Sequence, residues 1–464
     1  MKKGLAKGLS AALAVTMVTS LAACGSSKTA ETIAAETKAE TAAESKAEGE
    51  SQAEESGVPE VSGEITFSWW GGDSRHEATE KAVEAFMKKY PNVTVKTEYG
   101  AWSGWEEKQA LNISSGNGAD LMQINWNWID NYSQGGTNFV DLYQYGDIID
   151  LTQFPQETLD QCSVDGKLMG IPISNTGCLF FWNAKTFETI GCDIPTDTES
   201  LMAAGQKFKE YGDDYYPLAI DNGFSHMVFL VYYLESVYGK PWVENGEMQY
   251  TEEEIQTGME FMKELEDNHV IPTMKVVAGD MADSLDKNPK WIDGKYAGTF
   301  VWDASSIKMA DAVEESVNVE GQTLVQGDYL KFGDYNGGYT KISMAYGIPS
   351  SSQNPEAAAT LLNYLLNDPE GVEICGLERG VPLSKAGVAV IEEKNIGDPV
   401  LIQANKAALE YCKFPLDPKF DSADLKASPD GVYEKVFGKL SSDDYTPEEA
   451  AKALTEGVDE VLGN

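Results

Sequence analysis

The segment ITFSWWGGDSRH, residues 65–76, predicts a buried β-strand that ends in a glycine turn and leads into a helix. Its first half is rich in β-branched and aromatic residues, which suit a buried strand. Gly71 and Gly72 end the strand because paired glycines adopt backbone angles that other residues avoid. Ser74 followed by Glu77 predicts a capping box at the start of the helix.

The turn after this strand is the first candidate for a ligand site. Unpaired backbone N–H groups point outward where a strand ends and a helix begins, so ligands often bind there. Arg75 and His76 would stand in the first helical turn, where the helix dipole disfavours positive charge. That placement favours a ligand role, although a solvated helix start explains both residues equally well. The candidate side chains are Trp70, Asp73, Arg75 and His76.

The rest of the chain alternates strand and helix patterns, which is typical of α/β proteins. A hairpin near 165–172 leads into an extended segment. Predicted strands cover residues 93–99, 119–125, 174–183, 217–220, 295–303 and 341–348. Predicted helices cover residues 106–115, 198–211, 228–238, 252–268, 355–367 and 445–462.

Length and charge limit the classes of function. A chain of 464 residues is long enough for two domains. The formal net charge is −40 and no basic stripe occurs, so no nucleic-acid partner is expected.

The N-terminus carries a targeting pattern. Three lysines precede an apolar run at residues 9–18, and the sequence LAACG follows at residues 21–25. The run is too short for a stable membrane span. The LAAC sequence resembles a bacterial lipobox, which implies a signal peptide at 1–23, cleavage before Cys24 and a lipid on its sulfur. An ordinary secretory signal with a chance cysteine is the alternative.

Residues 24–63 predict a disordered acidic tether after the lipid anchor. This segment consists mainly of Ala, Glu, Thr, Ser and Lys, with few large apolar residues. It cannot bury enough apolar surface to offset the entropy lost on ordering.

The cysteines after Cys24 favour buried free thiols over a disulfide framework, because their number is odd and no CxxC motif occurs. A single bridge is left open. These cysteines are Cys162, Cys178, Cys192, Cys375 and Cys412.

Tryptophan is concentrated in the first part of the chain. The chain has 10 tryptophans, six of them between residues 69 and 128. Tryptophan is rarely buried completely and favours sites with one apolar face and one wet edge. Some of these rings should therefore line a cleft, although for each one a place in the core is about equally expected. The candidates next to strand ends and turns are Trp70, Trp102, Trp126 and Trp128.

Several segments resemble the extracellular solute-binding proteins of carbohydrate ABC transporters, the maltose-binding-like group. The segments are KLMGIP at 167–172, FFWNAKTF at 180–187, GKYAGTFVW at 294–302, NPEAA at 354–358 and RGVP at 379–382. Trp182 stands where the group usually has tyrosine. The segments WWGGDSRH at 69–76 and NWNW at 125–128 resemble a branch that includes oligogalacturonide binders.

The resemblance implies a periplasmic-binding-protein-like α/β fold, with two lobes joined by three hinge crossings. The crossings are expected near residues 172–178, 295–300 and 347–352. Lobe one is expected to hold residues 64–172 plus 300–347. Lobe two is expected to hold residues 173–299 plus 348–464.

The resemblance also implies a function, namely capture of an oligosaccharide outside the cell and its delivery to the permease subunits of an ABC importer. The expected protein is a monomer anchored by its lipid to the cell membrane, with no cofactor and no metal motif. A calcium site built from loop oxygens is left open.

The chemistry of a sugar site fits these residues. Sugar rings stack on aromatic faces, and their hydroxyls need paired donors and acceptors. Trp302 and Trp126 are the first choices for stacking, and Asp73, Arg75 and Asn125 for hydrogen bonds. Asp303 would accept from hydroxyls or simply cap the next helix. The full set is Trp70, Asp73, Arg75, His76, Trp102, Asn125, Trp126, Trp128, Asn175, Trp302, Asp303, Tyr339 and Arg379.

Two other functions compete with transport. One is a surface adhesin that binds glycans without delivering them. The other is a glycoside-active enzyme, since glycosidases combine aromatic clefts with paired carboxylates. The chain lacks HExxH, GxSxG, P-loop and GxGxxG motifs and has three histidines, so no enzymatic activity is expected. The sugar and its charge are not determined by the sequence.

Overall fold

A computed structural model of the protein describes residues 61–101, 104–133, 137–280 and 284–463. The predicted signal peptide, Cys24, the tether up to residue 60 and Trp102 lie outside these ranges. Within the described ranges, no helix is long and apolar enough to span a membrane, and the five cysteines that follow the tether are free thiols.

Strands and helices alternate along the described chain. The strands are β1 (Gly63–Trp70), β2 (Val93–Gly100), β3 (Leu121–Asn125), β4 (Ser163–Val164), β5 (Lys167–Leu168), β6 (Ile171–Asn183), β7 (Val243–Glu244), β8 (Glu247–Met248), β9 (Gly298–Trp302), β10 (Leu324–Gln326), β11 (Tyr339–Gly347) and β12 (Phe414–Pro415). The helices are α1 (Asp73–Lys89), α2 (Trp105–Ser114), α3 (Trp126–Tyr132), α4 (Gln156–Asp160), α5 (Ala184–Ile190), α6 (Thr198–Tyr211), α7 (Gly223–Tyr238), α8 (Glu252–Asp267), α9 (Met274–Gly279), α10 (Pro289–Ile292), α11 (Ser306–Glu314), α12 (Pro355–Asn367), α13 (Pro369–Cys375), α14 (Lys385–Lys394), α15 (Pro399–Tyr411), α16 (Ala423–Lys426), α17 (Val432–Ser441) and α18 (Pro447–Leu462).

Most predicted elements are confirmed, and two local predictions are wrong. Residues 217–220 are not a strand; this stretch makes an isolated bridge from Ala219 to Thr299. The capping box at Ser74 is also wrong, because the helix cap is Gly72 and Ser74 already lies inside α1. Its hydroxyl instead donates to the Glu378 carboxylate at 2.9 Å.

The sheet is organised around the long strand β6, whose thirteen residues are all buried. The main path of the sheet runs β10-β6-β11-β3-β1-β2, with β9 added on β6 and β12 on β11. The first part of β6 pairs antiparallel with β11. Its second part, from residue 178 onward, pairs with β9 and β10. The predicted crossing at 172–178 therefore falls where β6 changes partners.

Contacts between helices and strands form two sets within the described chain. Helices α12 and α13 pack against α1, and α12 also packs against β1 and β3. We call this set the first packing group. Strands β9 and β10 pair with the second part of β6, and α7, α8, α17 and α18 pack on one another. We call this set the second packing group. Residues 303–331 thus pack away from β1. Residues 355–375 pack beside β1, because apolar contacts such as that of Phe86 with Tyr364 hold α12 there.

Gly298 makes a close approach that positions β9 beside β6. A Cβ at Gly298 would lie 2.2 Å from a ring carbon of Trp182 and 2.6 Å from the backbone oxygen of Pro217. We expect Gly298→Ala to lower the free energy of unfolding by about 1–3 kcal/mol, the typical cost of overpacking. The matched control is Gly438→Ala in α17, where a Cβ meets no atom within 4 Å. That change should stabilise the protein by up to about 1 kcal/mol. Urea unfolding of both variants measures the difference, and equal effects would contradict the packing argument.

Candidate ligand-binding site

Trp302 ends β9 and is one of the few partly exposed indole rings in the described chain. The Lys341 ammonium lies over its ring, 4.7 Å from the centroid. The buried ring of Tyr339 packs against it edge-to-face at 6.0 Å. The Tyr339 hydroxyl donates to the backbone oxygen of Val228 at 2.7 Å, so this tyrosine supports Trp302 from behind.

A buried ion pair lies beside this ring. The Lys341 ammonium donates to the Asp421 carboxylate, and the Lys426 ammonium lies 3.6 Å from the other carboxylate oxygen. The indole N–H of Trp126 also donates to Asp421, at 3.1 Å. Burial alone raises the pKa of Asp421, but the two lysines and these hydrogen bonds outweigh it and lower the pKa to about 2. Asp421 is therefore an anion at physiological pH, held by α3 and β11 together.

Two neighbouring cavities lie beside these residues. The first has a volume of about 630 Å³, and we call it the lysine cavity. The second, about 150 Å³, is the Trp302 cavity. Both are lined by Asp221, Phe224, Ser284 and Leu285, so they adjoin. The lysine cavity adds polar groups for hydroxyls, namely Asn222, Asn288, Lys341, Asp421, Lys426 and Glu434.

A third cavity, about 200 Å³, gathers four of the predicted site residues, and we call it the arginine cavity. These are Arg75, Asn175, Asp303 and Arg379. It shares no lining residue with the other two cavities. Its remaining polar lining consists of Ser174, Thr176, Ser343, Glu378 and Asn405.

The turn after β1 places Arg75 in this cavity. Its guanidinium donates to the backbone oxygens of Glu378 at 2.8 Å and Trp70 at 3.1 Å. The side chain folds back over the turn, and a Cβ at Gly71 would lie 2.5 Å from the Arg75 Cδ. A side chain at position 71 would therefore displace the side chain of Arg75.

Asp303 is committed to partners within the protein. One of its carboxylate oxygens accepts from the Thr176 hydroxyl and from the backbone N–H of Ala304, and the other accepts from the Asn405 amide. Burial raises the pKa of Asp303 despite these donors. The bond from the Ala304 backbone N–H, 2.7 Å long, is the one local contact of the kind that a helix cap makes. The carboxylate mainly ties β6 to α15, which leaves little capacity for sugar hydroxyls.

The clustered tryptophans are mostly enclosed, contrary to the expectation that several line a cleft. Trp126 is 2% exposed and Trp128 is fully buried. The indole N–H of Trp128 donates to Glu106 at 2.9 Å, and Trp70 packs against the Trp128 ring at 5.6 Å. Trp126 also lines a separate cavity of about 480 Å³, beside Phe414 and Pro418. Because its ring is almost covered and its N–H binds Asp421, Trp126 offers little stacking surface in this arrangement.

The other predicted residues are spread around the edge of the sheet. His76 accepts from the indole N–H of Trp69 at 3.0 Å and stacks on Tyr99 at 4.4 Å, so it belongs to a ring stack outside the three cavities. Asp73 is exposed at the first position of α1. Asn125 caps α3 by accepting from the Trp126 backbone at 3.1 Å.

Sequence reasoning missed Lys341, Lys426, Asp421 and Asn405. Lysine in a strand that alternates with apolar residues usually indicates a solvated face. Asp421 lies 80 positions beyond Lys341, so no local pattern pairs them. Among the described residues, no three His, Cys, Asp or Glu side chains are placed to share a metal ion.

The chain is similar to bacterial solute-binding proteins. A family model described as bacterial extracellular solute-binding protein matches residues 72–372. A periplasmic solute-binding protein from Pectobacterium atrosepticum has a TM-score of 0.79 and 30% identity, over 86% of this chain and 98% of its own. A periplasmic oligogalacturonide-binding protein from Yersinia enterocolitica, solved with saturated digalacturonic acid, has a TM-score of 0.76 and 32% identity, over 86% and 98% of the two chains.

Curated relatives match over a shorter stretch. A binding protein of Brucella abortus is 28% identical over 162 residues, which is 34% of this chain. The match spans 39% of that relative's length.

Proposed function

Because the chain belongs to the bacterial extracellular solute-binding protein family, we propose that it is the substrate-binding component of an ABC importer for an oligosaccharide. Its α/β fold is that of the two-lobed periplasmic binding proteins. In this proposal the chain is held outside the cell by a lipid on Cys24, binds the saccharide and delivers it to a membrane permease.

The observation that carries the proposal is the partly exposed ring of Trp302 in a cavity whose walls combine apolar side chains with the polar Asp221, Ser284 and Lys308. A sugar stacks on such a ring through its C–H face, while its hydroxyls exchange hydrogen bonds with side chains nearby. Asp221 and Asn222 line the adjoining lysine cavity, where the carboxylate of Asp221 is an acceptor and the amide of Asn222 a donor. The combined volume of the two cavities, about 630 Å³ and 150 Å³, suits more than one sugar ring.

We further propose an acidic oligosaccharide as the ligand. The lysine cavity itself does not select for charge, because its two ammonium groups, Lys341 and Lys426, both pair with Asp421. The support for an acidic ligand comes from a relative. The Yersinia relative, at 32% identity, binds digalacturonic acid. Digalacturonic acid is therefore the first saccharide to test, with a neutral disaccharide beside it.

The two packing groups support a hinge between two lobes. We propose that the first lobe consists of residues 61–170 with 342–394, and the second of 178–336 with 399–462. The crossings would then lie in β6, at the start of β11 and between α14 and α15. In this arrangement the bond from Trp126 to Asp421 joins the two lobes, so it would form on closure.

Transport can be separated from simple adhesion in cells. We expect deletion of the gene to abolish uptake of the labelled oligosaccharide, and a plasmid copy to restore it. A copy with Cys24→Ala should restore little uptake if lipid anchoring holds the protein near its permease. Uptake that is unchanged in the deletion strain would favour the adhesin and contradict the importer.

A further inference from the structure

Glu266, close to the end of α8, carries a carboxyl group that lies between helices. Its side chain is 6% exposed. One carboxyl oxygen accepts from the hydroxyl of Ser441, the last residue of α17. The other oxygen, Oε2, is buried and has no hydrogen-bond partner among the described residues, and the Lys263 ammonium lies 3.7 Å from it. An ionised carboxylate in this position is poorly solvated.

Ser441 connects this carboxyl group to α9. Its hydroxyl oxygen accepts from the backbone N–H of Met274 at 3.0 Å. Met274 is the first residue of α9, a helix of six residues. The first N–H groups of a helix have no acceptor within the helix, so Ser441 supplies one from outside. Glu266, Ser441 and Met274 therefore form a continuous chain of hydrogen bonds from α8 through α17 to α9.

Helix α9 is part of the wall of the lysine cavity, through Val277 and Ala278. It packs on α17. The longer helices α8 and α17 also pack on each other and on α7 and α18. The short α9 can therefore move away from this cluster more easily than α8 or α17 can, and its movement would change the lysine cavity.

The charged groups around Glu266 neutralise it only in part. The Lys263 ammonium lies 3.2 Å from Asp267 and 2.9 Å from Asp443, so three carboxylates share one cation. Helix α18 also packs on α8, and its buried residues are the apolar Ala450, Ala451, Leu454 and Val458. Burial raises the pKa of Glu266 to about 7, although the Ser441 hydroxyl and the Lys263 charge oppose this rise.

Other titratable groups close to α8 have different partners. His226 of α7 packs against the Phe437 ring, and burial lowers its pKa to about 4. Burial also lowers the pKa of His269, whose ring contacts the backbone oxygen of Tyr215. Glu235 of α7 has a raised pKa, again through burial, and accepts from the backbone N–H of Gly338. As the pH rises through 7, the charge beside Ser441 therefore changes mainly at Glu266.

We propose that Glu266 is a pH-sensitive switch, which holds α9 against α17 while its carboxyl group is protonated and loosens α9 when the group is ionised. The ionised carboxylate is stabilised by water, which reaches it when α9 moves away from Ser441. A protein outside the cell meets the pH of its surroundings, so this wall of the lysine cavity would respond to external pH. The inference goes beyond the proposed transport function and does not depend on which ligand the cavity binds.

The direction of the effect follows from the two pKa values of the carboxyl group. The pKa is about 7 when α9 is closed, and the ordinary value of 4.5 applies when the group is open to water. The closed form is therefore fully favoured below about pH 4.5 and loses this advantage as the pH rises through 7. Between about pH 6 and about pH 8, the ratio of open to closed α9 should rise about tenfold.

The test is amide hydrogen exchange of the intact purified chain at about pH 6 and about pH 8, measured by mass spectrometry and corrected for the intrinsic rise of exchange with pH. In the wild type, protection of the Met274–Gly279 amides should be about tenfold lower at the higher pH. In Glu266→Gln, which keeps the shape of the side chain and removes its charge, protection should be equal at both pH values. Equal protection in the wild type, or a pH dependence that persists in Glu266→Gln, would overturn the proposal.

Two further variants locate the effect. Glu264→Gln removes the charge of an exposed side chain on the same helix and should behave like the wild type. Ser441→Ala removes the acceptor of the Met274 N–H, so Met274 should be less protected already at the lower pH. It also serves as the test variant if Glu266→Gln fails to fold, as judged by its melting temperature. Unchanged protection of Met274 in Ser441→Ala, or loss of the pH dependence in Glu264→Gln, would contradict the switch.

Discussion

The Trp302→Ala variant binds its oligosaccharide roughly 5- to 150-fold more weakly than the wild type, if a stacked sugar contributes like a stacked base, about 1–3 kcal/mol. The ring of Trp302 lines a cavity of mixed apolar and polar side chains, and Lys341 and Tyr339 contact the ring. Alanine removes the stacking surface and keeps the backbone of β9. Calorimetric titration of the wild type and the variant with the same saccharide measures the loss.

Two further variants show whether the loss is specific. Trp302→Phe keeps a flat ring and should retain most of the affinity. Tyr211→Ala removes an exposed ring that packs on Tyr215 and lines none of the three cavities, so its affinity should match the wild type. Unchanged affinity in Trp302→Ala would remove this ring from the site.

The Asp421→Asn variant loses about 3–5 kcal/mol of its free energy of unfolding near neutral pH, the usual cost of removing one partner of a buried ion pair. The Asp421 side chain is 3% exposed and that of Lys341 is 14% exposed, so solvent screens the pair poorly. Asparagine would leave the Lys341 ammonium buried without its counter-charge. Urea unfolding of the two proteins measures the difference.

The same variant makes a prediction about pH. The pKa of Asp421 is about 2 in the folded protein against an ordinary value of 3.8. The stability that ionised Asp421 provides is therefore fully present above about pH 4 and is lost as the pH falls through 2. The difference in free energy of unfolding between the wild type and the variant should therefore decrease by about 2 kcal/mol as the pH falls from 4 to 2.

A surface ion pair supplies the matched control. Asp430 lies 3.9 Å from Lys435, and its side chain is 90% exposed. Asp430→Asn should change the free energy of unfolding by less than about 1 kcal/mol, with little dependence on pH. A similarly small change in Asp421→Asn would contradict the structural role assigned to the buried pair.

The fold class was predictable because its signals are local. The glycine turn after residue 70, the helix at 198–211 and the helix at 355–367 follow from turn chemistry and periodicity, and the structure confirms them. The comparisons confirm the α/β fold of periplasmic binding proteins and the family.

The sequence did not show which segments belong to each packing group, because this depends on contacts between residues far apart in the chain. Strand β6 is buried along its whole length, so its sequence does not indicate where its neighbours change. Helix α12 carries no sign that it packs on α1, and the contact of Phe86 with Tyr364 appears only in three dimensions.

The candidate site was also predictable only in part. Arg75, Asn175, Asp303 and Arg379 were chosen from separate motifs, and the fold brings them to one cavity. The burial of Trp126 and Trp128 was not predictable from the cluster, because the acceptors of their indole N–H groups, Asp421 and Glu106, lie elsewhere in the chain. Lys341 was missed because its partners come from other parts of the chain.

The central claim is that the protein binds a saccharide in the cavities beside Trp302 and does not cleave it. The most direct measurement is a calorimetric titration of the intact chain with digalacturonic acid and a panel of neutral and acidic oligosaccharides, followed by chromatography of the recovered ligand. The account predicts saturable one-to-one binding of at least one saccharide, which is recovered at its original length. Shortened products, or no binding by any member of the panel, would contradict it.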